Sequence, residues 1–321
     1  MAVSYKNTSI KSTNVRFFNR IGRSAAYLFF SFTHLLAPPF ARFLVKRLFF
    51  IPKSYPQSQG EMEMGRRADK FRFKSGVNTL QGYGWGKGPA VVFIHGWAGR
   101  GLQCHSHVEA LVAAGFSVYT FDHVGHGRST GKTSNYFEFS NGMAAFMAHL
   151  AGSEIHAVVA HSLGGAAAIN HLWKTGLSVK TILIAPALSI RQTLARTFSR
   201  YGVPARVYTA VLNTLGRETG HDLGREDPVD LIRMISSDLF IVHDTRDRAV
   251  PYEDSWQAGL TRSNIRLFTT RGLGHIRILE DRAMQGEFLR MISRKDSKER
   301  GDARLPLPIK RRQSPSQLNR W

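Results

Sequence analysis

The sequence predicts an α/β protein built on a mostly parallel central sheet with helices on both faces. Three observations carry that expectation. Short β-branched runs recur along the chain, such as "AVVFIH" at Ala90–His95, "IHAVVA" at Ile155–Ala160 and "LFIVH" at Leu239–His243. Each is apolar on both faces, as a strand covered from two sides requires. Helical stretches separate them, and strands alternating with helices pair in parallel. The chain has 321 residues and 43% hydrophobic content, enough for one large domain with appendages.

Taken in order, Met1–Arg23 is polar and basic and reads as poorly ordered. Ala25–Ala37, "AAYLFFSFTHLLA", is apolar, and Pro38 and Pro39 separate it from Phe40–Ile51, "FARFLVKRLFFI", which is aromatic and basic together. The pair predicts two short helices, either lying in a membrane interface or packed on the domain. Neither reaches the roughly 18 apolar residues of a spanning helix. A basic region ahead of an apolar run is also the pattern of an export signal. Here the basic region is long, His34 interrupts the run and no small-x-small cleavage site follows, so export is disfavoured.

Ser54–Arg67 reads as a linker. Phe71–Ser75 and Thr79–Trp85 predict an opening hairpin, and Ala90–His95 a buried strand. A helix over Cys104–Ala114 and a strand over Phe116–Asp122 follow. Phe137–Leu150 predicts an amphipathic helix, with apolar residues at Phe139, Met143, Phe146, Met147 and Leu150. The strand at Ile155–Ala160 leads into helix-compatible Ala166–Trp173, and Thr181–Pro186 is a further strand. Leu188–Met234 breaks the rhythm with helical stretches and no strand, as an inserted cap would. Strands over Leu239–His243 and Ile265–Thr270 complete the sheet. The tail from Lys295, containing "LPLPIKRRQSPSQ", is charged and Pro-containing and reads as disordered.

The formal net charge is +21, unevenly placed: about +11 falls on Met1–Ser75, about +6 on Ser293–Trp321 and only about +4 between them. Basic ends attract anionic surfaces or stay solvated as plain tails. Because the charge belongs to the ends, nucleic acid is disfavoured as a partner, and peripheral contact with an anionic membrane stays open. A single cysteine, Cys104, excludes a disulfide framework and a Cys-based metal site, and fits a cytoplasmic protein.

The densest local signal is "VVAHSLGGAAA", Val158–Ala168. Only one or two residues separate the strand from the following helix, so Ser162 sits at a very tight turn. Ala160 and Gly164 occupy the crowded positions two residues to either side. The pattern approximates the G-x-S-x-G nucleophile elbow with Ala for the first Gly. The alternative is that Gly and Ala simply let a helix pack closely on a sheet.

Active groups of open parallel sheets collect at the carboxyl ends of strands. The segments there are "HGWAG" at His95–Gly99, "DHVGHGRS" at Asp122–Ser129, the Ser162 turn, "HDTRDRAVP" at His243–Pro251 and "GLGH" at Gly272–His275. Their order and layout resemble the α/β-hydrolase superfamily over roughly Lys70–Ile292, and are similar to bacterial members with an HGW-x-GR loop and a short helical cap. The five segments look like its oxyanion loop, D-x-x-G-x-G-x-S turn, nucleophile elbow, H-G-x-x-D-x-x-V-P acid loop and histidine loop. The departures are Ala160, Asp244 in place of the usual Gly, and the long basic ends. The resemblance implies an extension and linker over 1–67, an α/β-hydrolase domain over 68–293 with a cap at 188–234, and a basic tail over 294–321.

The resemblance further implies a Ser-Asp-His triad of Ser162, Asp247 and His275. Ser162 would be the nucleophile, His275 its base, and Asp247 the acid that orients the imidazole. The backbone N–H groups of Trp97 and Leu163 would form the oxyanion hole, within a loop containing His95, Gly96 and Gly99. Asp244 follows the same strand but directly, where the chain is still close to the sheet, so Asp247 is the expected triad acid. No metal or organic cofactor is expected. His105 and His107, two apart on a helix, face different ways and do not chelate. Cys104 reads as a buried structural thiol, His161 as packing or hydrogen bonding, and His126 as structural. Arg100 either orders the oxyanion loop or meets an acidic substrate group. The expected activity is cleavage of a small-molecule ester or thioester through an acyl-enzyme. C–C hydrolase, peptidase and cofactor-free haloperoxidase chemistry remain alternatives within the fold, and a non-catalytic tethered module is the alternative outside it.

Overall fold

The apolar runs become eight strands of one sheet: β1 (Asp69–Ser75), β2 (Asn78–Trp85), β3 (Ala90–Ile94), β4 (Ser117–Phe121), β5 (Ile155–His161), β6 (Lys180–Ile184), β7 (Leu239–Asp244) and β8 (Ile265–Thr270). The computed structural model describes residues 20–293, so the expectations for 1–19 and 294–321 lie outside the described residues. Only Gly76 and Val77 join β1 to β2, and Gly76 takes φ 55°. So short a connection permits only an antiparallel hairpin. The strand order is β1-β2-β4-β3-β5-β6-β7-β8, with β1–β2 and β2–β4 antiparallel and every later pair parallel.

Twelve helices accompany the sheet among the described residues: α1 (Arg20–Leu36), α2 (Pro38–Phe49), α3 (Gln59–Arg67), α4 (His105–Ala113), α5 (Tyr136–His149), α6 (Leu163–Thr175), α7 (Ile190–Arg200), α8 (Ala205–Thr219), α9 (Pro228–Leu231), α10 (Tyr252–Gly259), α11 (Gly274–Arg277) and α12 (Arg282–Ser293). The stretch read as a linker therefore contains a helix, α3. Ser58 caps it by accepting the Glu61 N–H, and Glu61 accepts the Ser58 N–H in return. Such reciprocal caps contribute about 1 kcal/mol. The polar "QGEMEMGRR" hides the helix from a hydrophobicity reading, although S-x-x-E at Ser58–Glu61 announces its start.

Strand alternation divides the core between the two faces of the sheet. Val92 and Ile94 of β3 and Val158 and Ala160 of β5 join Phe139, Met143, Ile169 and Leu172 of α5 and α6. Val91, Phe93, Ala157 and Val159 point the other way, towards Val108 and Leu111 of α4 and Phe288 and Met291 of α12. Burying each such side chain contributes about 1.5–3 kcal/mol. This is the doubly covered sheet that the apolar runs predict.

Contacts within the chain define two compact units. One comprises Ile51–Ser189 with the described residues from Gly224 onward, and holds the whole sheet. The other joins the described part of Met1–Phe50 to Ile190–Leu223, and is entirely helical. In the helical unit α8 buries Val207, Val211 and Leu215, four residues apart. Phe198 is fully buried, with the Phe49 ring edge-on at 5.0 Å and the Tyr208 ring stacked at 5.1 Å. Lys46 and Glu218 form an ion pair at 2.8 Å between α2 and α8.

Candidate active site

The loops after β3, β5, β7 and β8 open at the same end of the parallel sheet, and between them they carry the predicted site residues. At the end of β5 the chain turns into α6 within a single residue. Ser162 is that residue, with φ 54° and ψ −120°. A non-glycine residue there costs on the order of 1–3 kcal/mol and persists only when its surroundings enforce it. Here the Ser162 N–H donates to Ile184 O at 3.0 Å, and Ser162 O accepts from Ala187 and Gly165 at 3.0 Å. Close packing explains the small residues. A Cβ on Gly164 would strike the His95 carbonyl oxygen, and one on Gly96 would lie 2.7 Å from Ser162 Cβ.

The turn presents the Ser162 hydroxyl to His275, with Oγ 2.9 Å from Nε2. On the far side of the ring, His275 Nδ1 lies 2.6 Å from Asp247 Oδ2. The acid loop and histidine loop follow adjacent strands, β7 and β8, which is why they meet. The Asp247 side chain is fully buried. Its Oδ1 accepts the N–H groups of Ala249 and Val250 at 2.7 and 3.0 Å, and its Oδ2 also faces His243 Nε2 at 3.3 Å. Burial alone raises its pKa, but hydrogen bonds from His243, His275 and the Val250 N–H outweigh that and hold it well below the usual carboxylate range. The array can take a proton from the serine hydroxyl while a fixed negative charge balances the imidazolium.

Asp244 makes no contact of this kind. It is buried three residues earlier, and accepts the Arg246 N–H on Oδ1 and the Thr270 hydroxyl and Leu273 N–H on Oδ2, each at 2.8 Å. Burial raises its pKa, and the N–H groups of Arg246 and Leu273 and the Thr270 hydroxyl more than offset the rise. Asp244 thus stitches the acid loop to the segment just before His275. The departure from the superfamily's Gly is a carboxylate clamp.

The His95–Gly99 loop, the one expected to receive an oxyanion, is held by histidines. The His95 ring donates from Nδ1 to Gly96 O at 2.7 Å and accepts the His123 N–H on Nε2 at 3.0 Å. His126 accepts the Ala98 N–H on Nε2 at 3.1 Å, and Nδ1 donates to Val124 O at 2.9 Å. Ala98 has φ 58° and so depends on this support. The backbone N–H groups of Trp97 and Leu163 have no protein acceptor among the described residues. His161 donates from Nε2 to the His275 carbonyl at 3.0 Å and steadies the histidine loop. Burial lowers the pKa of His126 to about 4 and of His161 to about 3, so both rings are neutral supports at neutral pH. The sequence reading of His161 as packing or hydrogen bonding and of His126 as structural named no partners for either. The one available signal is that His95, His126 and His161 all sit at or beside carboxyl ends of strands.

The remaining candidates separate from the site. Arg100 places Nη2 on the Tyr55 carbonyl and Nε 3.6 Å from Glu61, tying the segment before α3 to the oxyanion loop. His107 donates to Leu279 O at 2.8 Å. Cys104 is buried, and burial pushes its thiol pKa up. Among the described residues no cluster of three or more His, Cys, Asp or Glu could hold a metal ion.

With this geometry in place, comparison with known proteins agrees on the scaffold. Residues 87–225 match the family described as serine aminopeptidase, S33. The non-heme chloroperoxidase CPO-A1 of Kitasatospora aureofaciens is 31% identical over 135 residues, 40% of this chain. The match spans about half of that relative's length, 47%. The solved structure of Est1E from Butyrivibrio proteoclasticus with ferulic acid bound superposes with a TM-score of 0.55 at 20% identity, covering 70% of this chain and 100% of that one. The Pyrococcus furiosus esterase Pf2001 gives a TM-score of 0.56 at 17% identity, covering 75% and 98%. Over residues 87–225 the chain is thus similar to hydrolases of the S33 type, and part of it is distantly similar to a haloperoxidase. The fold of this chain is the α/β-hydrolase fold.

Proposed function

We propose that this protein is a serine hydrolase that cleaves a small-molecule ester or thioester through an acyl-enzyme. The observation that carries the reading is the unbroken chain from Ser162 Oγ to His275 Nε2 at 2.9 Å and from His275 Nδ1 to Asp247 Oδ2 at 2.6 Å. Ser162 attacks the carbonyl carbon as His275 takes its proton, and Asp247 fixes the imidazole tautomer and stabilises the imidazolium. The N–H groups of Trp97 and Leu163 receive the oxyanion, each such donor contributing about 3–4 kcal/mol to the transition state. His275 then protonates the leaving alkoxide or thiolate, and next activates the water that releases the acid. The sequence of steps calls on no metal or organic cofactor. Support for an ester comes from one neighbour named as an esterase, Pf2001, and another, Est1E, seen with ferulic acid bound. The lone, buried Cys104 fits a cytoplasmic setting.

A second reading, a haloperoxidase, is favoured by the name of the relative at 31% identity. Product distinguishes the two: halogenation with peroxide and halide, against release of an alcohol or thiol. The deciding experiment is labelling with a fluorophosphonate probe, followed by a screen of p-nitrophenyl and acyl-CoA esters of varied chain length. The probe should attach to Ser162, and Ser162→Ala should abolish labelling and lower kcat by roughly 10⁴ to 10⁶. Attachment to another serine, or labelling that survives the substitution, overturns the assignment.

A further inference from the structure

The helical unit wears its apolar surface on the outside. Of the 19 large hydrophobic side chains exposed among the described residues, nine lie in α1 and α2. In α1, Leu28, Phe32 and Leu35 are 68%, 64% and 75% exposed, with Phe29 and Leu36 beside them. At about 100° per residue these five fall within one broad stripe. Phe30, on the opposite side of the helix, is the one that is buried. In α2 the buried positions are Ala41 and Val45, while Phe40 and Phe43 are more than half exposed and stack on each other at 6.4 Å. An apolar stripe normally faces the core, so both helices are inverted. An exposed apolar patch of this extent marks an interaction surface.

Charge says what kind. From Arg20 to Phe50 the chain carries five Arg or Lys residues and no Asp or Glu. Arg47 is exposed within the apolar stripe of α2, whereas Arg23 is exposed on the Phe30 side of α1. No helix among the described residues is long and apolar enough to cross a membrane. Aromatic and leucine side chains flanked by cations on helices too short to span form the pattern of a segment lying in a bilayer interface. A second copy docking by the same face would set Arg47 near its own counterpart, with no acid on α1 or α2 to compensate.

We infer that α1 and α2 dock the protein on an anionic lipid surface, with Leu28, Phe32, Leu35, Phe40 and Phe43 entering the headgroup region and Arg47 meeting lipid phosphates. The contact is peripheral and reversible. It rests on the helical unit alone and stands apart from the chemistry assigned to Ser162.

Flotation of the full chain with phosphatidylcholine–phosphatidylglycerol vesicles tests this, with phosphatidylcholine vesicles alongside. The protein should float with the anionic vesicles at low salt, more weakly with the neutral ones, and less as salt rises. The triple variant Leu28→Glu/Phe32→Glu/Leu35→Glu changes only exposed positions. It should keep its circular dichroism spectrum and its turnover of a soluble ester, yet lose at least a hundredfold in vesicle affinity. Arg47→Ala should weaken binding about fivefold on anionic vesicles only. Absence of flotation at low salt, or flotation of the triple variant equal to wild type, overturns the inference. So does sedimentation showing that the wild type self-associates through this face while the variant is monomeric.

Discussion

The loops on the two sides of Ser162 are pinned by different chemistry. On one side the oxyanion loop hangs from neutral imidazoles: His126 accepts the Ala98 N–H, and His95 holds Gly96 O and the His123 N–H. Asp122 bonds the N–H groups further along, at Gly101 and Arg128. On the other side the acid and histidine loops hang from carboxylates, Asp244 on Arg246 and Leu273, and Asp247 on Ala249, Val250 and His275. Each set of acceptors satisfies backbone N–H groups equally well, so satisfaction alone does not explain the choice. Charge does. In the proposed reaction negative charge develops beside the oxyanion loop and positive charge on His275. Neutral acceptors spare the first, and carboxylates favour the second.

Four outcomes would break or sharpen that contrast. The largest effect is expected of Asp247→Asn, which removes the charge and presents an amide N–H to His275 Nδ1. Turnover should fall by roughly 10⁴ with the fold intact, measured as kcat beside a matched circular dichroism spectrum. If Asp247→Asn is nearly silent, the carboxylate side has no electrostatic role.

Asp244→Asn should cost less in turnover and more in stability. Its amide would face either the Arg246 N–H or the Leu273 N–H, leaving a buried donor unsatisfied. We expect about 1–3 kcal/mol of lost stability from denaturant unfolding and a fall in kcat of roughly 10²-fold through displacement of His275. Asp244→Gly, the superfamily's residue, should recover part of the turnover if the clamp acts through loop position.

Acid should attack the neutral imidazole supports, which lie on both sides, first. The folded-state pKa values of His126 and His161, about 4 and 3, lie below the roughly 6.5 of an unfolded chain. Between those values the unfolded state binds more protons, so stability is full above about pH 6.5 and declines as pH falls towards 4. Thermal melts should show Tm lower by roughly 5–10 °C at the acid end. His126→Gln should remove part of that slope.

The smallest effect tests the charge argument directly. His126→Gln keeps a neutral acceptor for the Ala98 N–H and should lower kcat by about tenfold with KM nearly constant. His126→Glu supplies an equally able acceptor with a negative charge, and kcat should fall about tenfold further. Equal kcat in the two variants would mean that position matters on this side and charge does not.

These contrasts were readable from the sequence to different depths. The sheet showed itself because buried strands need continuous apolar runs, and the Ser162 turn because a one-residue strand-to-helix junction tolerates little beyond Gly and Ala. The preference for Asp247 over Asp244 rested on chain reach, and His275 Nδ1 does bond the later residue. The clamp at Asp244 was invisible, since its partners Thr270 and Leu273 lie on a different strand and loop. Nor does any local pattern mark a histidine whose task is to accept a backbone N–H. The union of α1 and α2 with α7 and α8 was equally hidden, because the apolar positions of each helix name no partner 150 residues away.

That union imposes a schedule on synthesis. The helices of Arg20–Phe49 leave the ribosome early, but their partners end at Thr219. At roughly 5–20 residues per second the first pair waits about 10 to 35 seconds for the second. Throughout that interval Phe30, Ala41, Val45 and Phe50, all buried in the finished unit, have nothing to bury against from Ile190–Leu223. The sheet domain is meanwhile assembled only as far as β6. Until α8 is made, the nascent chain therefore exposes these side chains as well as the outward apolar stripes of α1 and α2.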